Sequence, residues 1–304
     1  MMQIPSFLSP GDKIGLAAPA RWVEENDIRF FIEQLEKQGY KVIAGSVHRR
    51  FNQFSGTDDE RINDLQTMLD DPEIKAIICV RGGYGSARML GRIDFNSFAL
   101  NPKWITGFSD ITALHCCILM RMGTAVLHSG MPYTFRDGKD EAGRNSLMDA
   151  LRGNFPAYEV PANKMNRTGR GEGILLGGNL SVLYSLTGTS YQIPTSGAIL
   201  FLEDVDEYLY HIDRMMLNLK LAGMLEPLNG LIIGGMTDMH DNDIPFGKNA
   251  YEIIMEAVEP YDFPVCFGFP AGHQEPNLAL ILGREVHLEV NSEGCIMEYL
   301  QPRK

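Results

Sequence analysis

The feature that most constrains the fold is a repeated pattern: a short apolar run breaks directly into a small-residue turn and reopens as a helix-like segment. AIICV (76–80) runs into RGGYGSAR, and KWITGFSD (103–110) runs into a helical stretch over 111–122. Neither run alternates apolar with polar residues, so both faces must be covered. That is the mark of strands in a parallel sheet flanked by helices. The neighbouring segments agree. KIGLAAPA (13–20), KVIAGSV (41–47) and TAVLHSG (124–130) read as further strands. The spacing predicts a helix over 24–38 that stops at Gly39, and another over 58–69 with Thr57 and Glu60 set as a capping box. This βαβ alternation implies an α/β fold.

Residues 156–172 interrupt the pattern with glycine and proline and no sustained periodicity, so they read as a linker. The expected division is a first α/β domain over 1–155 and a smaller, mixed β/α domain over 173–304. In the latter, AILFLEDV (198–205) is a strand ending in acids, followed by a helix over 207–222, a strand in LNGLIIGG and a helix over 249–258. FPVCFGF is a further strand, and LALILGREVHLEV a strand–turn–strand finish.

Charge narrows the function. With 27 Lys and Arg against 39 Asp and Glu the chain carries −12, which repels phosphate backbones and anionic lipid, so neither nucleic acid nor membrane is an expected partner. The five cysteines have no zinc-ligand spacing and an odd count, which points to a reducing compartment. The opening MMQIPSFLSPGDKIG lacks the basic and apolar regions of a secretory signal, and no apolar run approaches the ~18 residues of a membrane span. A cytoplasmic location is expected.

Several residues are candidates for chemistry. Ser109, in GFSDIT, sits between a strand and a helix, where a nucleophile gains an exposed Oγ and nearby backbone N–H groups. It also suits a helix N-cap, and Ile111 stands where the G-x-S-x-G signature has its second glycine. RGGYG (81–85) follows a strand and suits an anion nest, an oxyanion donor or a plain turn. Glu203 and Asp204 end a buried strand, and either can orient a histidine. Among seven histidines, His273 in PAGHQEPN suits an accessible base and His128 is its rival, while His240 lies in an acidic loop. Cys116 and Cys117, two turns into a helix, read as buried thiols.

Taken together, GFSD (107–110), RGGYG (81–85), FLEDVDEYLYHIDRMMLNLK (201–220) and GHQEPN (272–277) resemble the LD-carboxypeptidases, in the right order and over nearly the whole chain. The resemblance implies an amidotransferase-like first domain, a smaller second domain, and a triad of Ser109, Glu203 and His273. The backbone N–H groups of Gly83 and Asp110 would then form the oxyanion hole, and Arg81, with Arg214 as a second candidate, would meet the substrate carboxylate. It implies a serine hydrolase that removes the terminal D-alanine of a murein tetrapeptide during wall recycling. Its partner is a small peptide or muropeptide, no metal or organic cofactor is needed, and a homodimer is expected. The rival readings are an immunity-type peptidase cleaving an acylated nucleotide toxin, which should present aromatics for the base; a non-catalytic binding module; and a cysteine amidotransferase.

Overall fold

The computed structural model describes residues 2–155 and 157–301, and the chain divides into two compact units. The first comprises 1–154 with 276–281, the second 155–275 with 282–304.

In the first unit, β1 (Lys13–Ala17), β2 (Lys41–Ala44), β3 (Ile74–Cys79), β4 (Trp104–Gly107) and β5 (Val126–His128) alternate with α1 (Glu25–Lys37), α2 (Asp58–Asp70), α3 (Asn96–Leu100), α4 (Thr112–Met122) and α5 (Glu141–Leu151). Strands β3 and β4 are buried almost throughout, as their unbroken apolar runs require. Pairing among β2, β1, β3, β4 and β5 is parallel throughout. The expected capping box starts α2: Thr57 Oγ1 accepts from the Glu60 N–H at 3.3 Å, and Glu60 Oε2 accepts from the Thr57 N–H at 2.8 Å. Helix α1 ends before Gly39, whose φ of 87° turns the chain into β2.

The second unit contains β6 (Tyr158–Pro161), β7 (Gly169–Asn179), β8 (Ile199–Val205), β9 (Gly230–Thr237) and β10 (Val265–Phe267), with α6 (Leu180–Leu186), α7 (Leu209–Leu221) and α8 (Ala250–Val258). Three strands close the chain: β11 (Leu280–Leu282), β12 (Glu285–Val290) and β13 (Gly294–Tyr299). The seven-stranded sheet runs β10-β9-β8-β7-β12-β13-β6, parallel from β10 to β7 and antiparallel from β7 to β6.

One expectation changes. Within the segment read as a linker, 156–172, lie β6 and the first residues of β7. Glycine at 169, 171 and 173 masked the strand because those positions lack the side chains that reveal a period. The strand–turn–strand finish is present, and its two strands join different sheets. β11 is fully buried and joins the six-stranded sheet, ordered β11-β5-β4-β3-β1-β2, whereas β12 alternates half-exposed and buried residues and pairs with β7 and β13. Among the described residues no helix is long and apolar enough to cross a membrane.

Candidate active site

The first unit carries the serine. Beyond β4, Phe108 remains extended and Ser109 then swings to a φ of 61°, in the left-handed region. An L-residue other than glycine holds that conformation at a cost of about 1–3 kcal/mol. Residues Ser109–Ile111 form one 3-10 turn that leads into α4. A strand, one strained residue and a helix are the parts of an elbow that lifts a hydroxyl clear of a sheet. The capping alternative fails, because the N-cap positions are Phe108 for the short turn and Ile111 for α4.

The glycine-rich segment lies against this elbow. A methyl group built on Gly82 would stand 3.2 Å from Ser109 Oγ. The loop is fastened by the residue after the serine: the buried Asp110 carboxylate accepts from the Ser86 N–H at 2.8 Å and the Gly85 N–H at 3.3 Å. Gly83 is exposed at a φ of 116°, and among the described residues its N–H meets no acceptor. The anchoring role of the Asp110 side chain was not foreseen; its only trace in the sequence is an acid beside the elbow.

The second unit carries the acid and the imidazole. Consecutive residues of a strand face opposite ways, so Glu203 and Asp204 on β8 part company. Glu203 is fully buried, and its Oε2 accepts from the His273 backbone N–H at 3.1 Å and lies 2.6 Å from His273 Nδ1. Gly272, at a φ of 95°, makes this approach possible: a methyl group there would come within 2.6 Å of Glu203 Cβ. The loop is held further by Thr237 Oγ1, which donates to the His273 carbonyl at 2.8 Å, and by Gln274 Nε2, which donates to the Phe269 carbonyl at 2.5 Å. Asp204 instead accepts from Asn179 Nδ2 and from the Ser181 and Val205 N–H groups, each at 2.9 Å, which ties β8 to the start of α6.

Electrostatics follow from this split. Burial lowers the His273 imidazole, but the Glu203 charge, its hydrogen bond and the Asp204 charge together outweigh it and hold the value above the ordinary 6.5. Burial, then repulsion from Glu203, pushes Asp204 up to about 7 despite its three N–H donors. With Nδ1 directed at a carboxylate, Nε2 is the basic nitrogen of His273.

The other candidates resolve differently. His128 is fully buried at the end of β5, beside the Phe108 ring, and His115 is buried in α4 with its value lowered to about 3 by desolvation. Burial raises the thiols of Cys116 and Cys117 to about 12 and about 11, so neither is an activated nucleophile. His211 pairs with Glu207 at 2.5 Å, and His240 with Asp206 at 2.5 Å. Arg81 stacks on the Tyr133 ring at 4.0 Å and donates to the Trp22 carbonyl at 3.3 Å. Arg214 is exposed on α7 and stacks on Tyr210 at 5.2 Å.

Residues 14–129 match the LD-carboxypeptidase N-terminal domain, and residues 172–288 match the LD-carboxypeptidase C-terminal domain. The chain is 32% identical to the "Probable murein peptide carboxypeptidase" of Bacillus subtilis, covering 97% of this chain and 94% of that protein. It is 27% identical to the microcin C7 self-immunity protein of Escherichia coli, covering 98% and 96%. The crystal structure of muramoyltetrapeptide carboxypeptidase from Oxalobacter formigenes superposes with a TM-score of 0.87 at 26% identity, over 96% of this chain and 100% of that one. A strained serine at a strand-to-helix elbow, a buried glutamate fixed on a histidine, and these likenesses over almost the full length lead to one conclusion: the chain belongs to the LD-carboxypeptidases, a family of serine peptidases.

Proposed function

We propose that the chain hydrolyses the L,D-peptide bond to the terminal D-alanine of a murein tetrapeptide, in the recycling of cell-wall peptides. Ser109 is the nucleophile, His273 the general base and Glu203 the carboxylate that orients it. The observation that carries the reading is Ser109 itself, held at a φ of 61° where it caps no helix. Strain without a structural return is the pattern of a functional residue. The names of the carboxypeptidase relatives supply the substrate class.

The chemistry follows from the two halves. His273 Nε2 takes the proton from Ser109 Oγ as that oxygen attacks the scissile carbonyl, and Glu203 stabilises the resulting imidazolium. Negative charge develops on the carbonyl oxygen, and the N–H groups of Gly83 and Asp110 receive it. Such a donor is typically worth about 10²–10³ in rate. His273 then returns the proton to the amine of D-alanine as the C–N bond breaks, leaving an acyl-serine. Water, deprotonated by the same imidazole, releases the shortened peptide.

The immunity-type reading asks for exposed aromatics that stack on a base. One of the two tryptophans, Trp104, is fully buried and stacked on Phe7, and the other, Trp22, carries the Arg50 guanidinium 4.0 Å above its ring. Incubation with murein tetrapeptide tests the proposal: one D-alanine and one tripeptide are expected per substrate. Ser109→Ala should lose about 10⁴-fold or more in turnover with its melting temperature retained. Full turnover by that variant overturns the assignment. Release from an acylated nucleotide with no D-alanine formed favours the immunity reading.

A further inference from the structure

The peptidase reading leaves one requirement unmet. An enzyme that removes only the last residue must recognise the free carboxylate of the residue it releases, two covalent bonds beyond the nitrogen of the bond it cuts. It must do so in a chain of net charge −12. Resting on that reading, we infer that Arg21, in the loop after β1, is the residue that binds the substrate's terminal carboxylate.

The loop that lies against Ser109 is the one that Arg21 crosses. A methyl group on Gly82 would stand 3.2 Å from Ser109 Oγ, and a methyl group on Gly83 would stand 2.7 Å from Arg21 Nε and 2.6 Å from its Cδ. Consecutive residues of one turn therefore touch the nucleophile and the guanidinium. The glycine at 83 is needed here twice, for its φ of 116° and for the space that Arg21 fills.

Among the described residues no carboxylate pairs with Arg21. Among the described residues its Nε is buried without a hydrogen-bond partner, and its Nη2 donates to Gln53 Oε1 at 3.5 Å. Most of the arginines around it are paired with acids: Arg50 with Glu24, Arg49 with Glu60 at 3.5 Å, Arg88 with Asp58 at 2.7 Å, and Arg61 with Asp58 at 2.5 Å. Arg81, the cation first suspected from the sequence, is engaged otherwise. It stacks on Tyr133 and donates to the Trp22 carbonyl, so it braces the residue next to Arg21.

The Arg21 loop is also preorganised. The fully buried Arg61 donates to the carbonyls of Pro19 and Gly85, clamping the β1 loop to the glycine-rich loop, and the Ser55 N–H donates to the Ala20 carbonyl at 3.0 Å. A guanidinium fixed in this way, with open donors, suits bidentate capture of a planar carboxylate.

The test is a binding ratio, measured by calorimetry in the Ser109→Ala background so that nothing is consumed. The ligands are murein tetrapeptide and the same peptide with a C-terminal carboxamide. The parent should prefer the carboxylate by about 10- to 100-fold, the usual worth of a charge-assisted hydrogen bond. Arg21→Gln should bring the ratio close to one, Arg21→Lys should keep part of it, and Arg81→Gln should keep most of it. If Arg21→Gln lowers the melting temperature, the Arg21→Lys ratio decides, and a value equal to the parent's counts against the inference. A preference that survives Arg21→Gln, or that is lost only in Arg81→Gln, overturns it. Failure of the peptidase reading registers separately, as a chain with Ser109 intact that releases no D-alanine.

Discussion

The serine and the histidine are prepared by opposite means. Around Ser109 the backbone does the preparing: a residue at a φ of 61°, a neighbouring loop with glycines at 116° and 138°, and a buried aspartate that fastens that loop by its amides. Around His273 the backbone takes a positive φ at Gly272, and charge does the preparing, through a carboxylate with no exposure set 2.6 Å from Nδ1. The contrast teaches that a nucleophile has to be aimed, whereas a base has to be tuned. Substitutions should therefore separate the two regions: a change of charge is felt in the second, and a change of backbone conformation tests how strained each one is.

Away from the nucleophile itself, Glu203→Gln should have the largest effect. It removes the charge that raises the imidazole and fixes its tautomer, so kcat/KM for D-alanine release should fall by about 10³-fold or more. The pH profile should move as well. Activity requires neutral His273, so the rising limb of the parent lies above the ordinary imidazole value of 6.5. Without the Glu203 charge, burial acts with less opposition and the limb shifts to lower pH. The same linkage has a stability side. Because the folded-state value is raised, the contribution of the pair is complete below the unfolded value and is lost as pH rises through the folded one. A limb that does not move in Glu203→Gln would break the contrast.

Gly272→Ala should come next. The added methyl group would stand 2.6 Å from Glu203 Cβ, at a φ of 95° that alanine resists. A loss of about 2 kcal/mol in denaturant unfolding is expected, together with a fall in kcat that KM does not share. An unchanged midpoint would show that the second region is more pliant than its geometry implies.

Ser109→Gly should have the smallest effect on stability, and of opposite sign. Glycine tolerates a φ of 61°, so stability should rise by about 0.5–1 kcal/mol as activity disappears. A drop in stability would mean that the elbow carries no strain.

Much of the frame was readable because it depends on short-range pattern. Unbroken apolar runs such as IKAIIC and WITG announce buried parallel strands, and Thr57 with Glu60 announces the start of α2. Partnership over long distances was not readable. LIL at 280–282 and EVHLEV at 285–290 stand almost adjacent in the chain yet join different sheets; only the change from continuous to alternating burial separates them. The site divides in the same way. The residues alone left Glu203 and Asp204 level and only the family resemblance singled out Glu203; the pleat of β8 turns one towards His273 and the other towards α6. Asp110 was read for its backbone N–H alone, because nothing local shows that its carboxylate reaches 24 and 25 residues back along the chain. Arg21 gives no signal as a single arginine in a loop, and it gains meaning only from its neighbours.

The most direct test of the central claim is chemical labelling of the intact chain with a serine-directed phosphonate, followed by peptide mapping by mass spectrometry. One adduct per chain, on Ser109, is the predicted result, and it should vanish in Ser109→Ala. A preparation that releases D-alanine from murein tetrapeptide while Ser109 stays unmodified, or while another residue takes the label, would contradict the account.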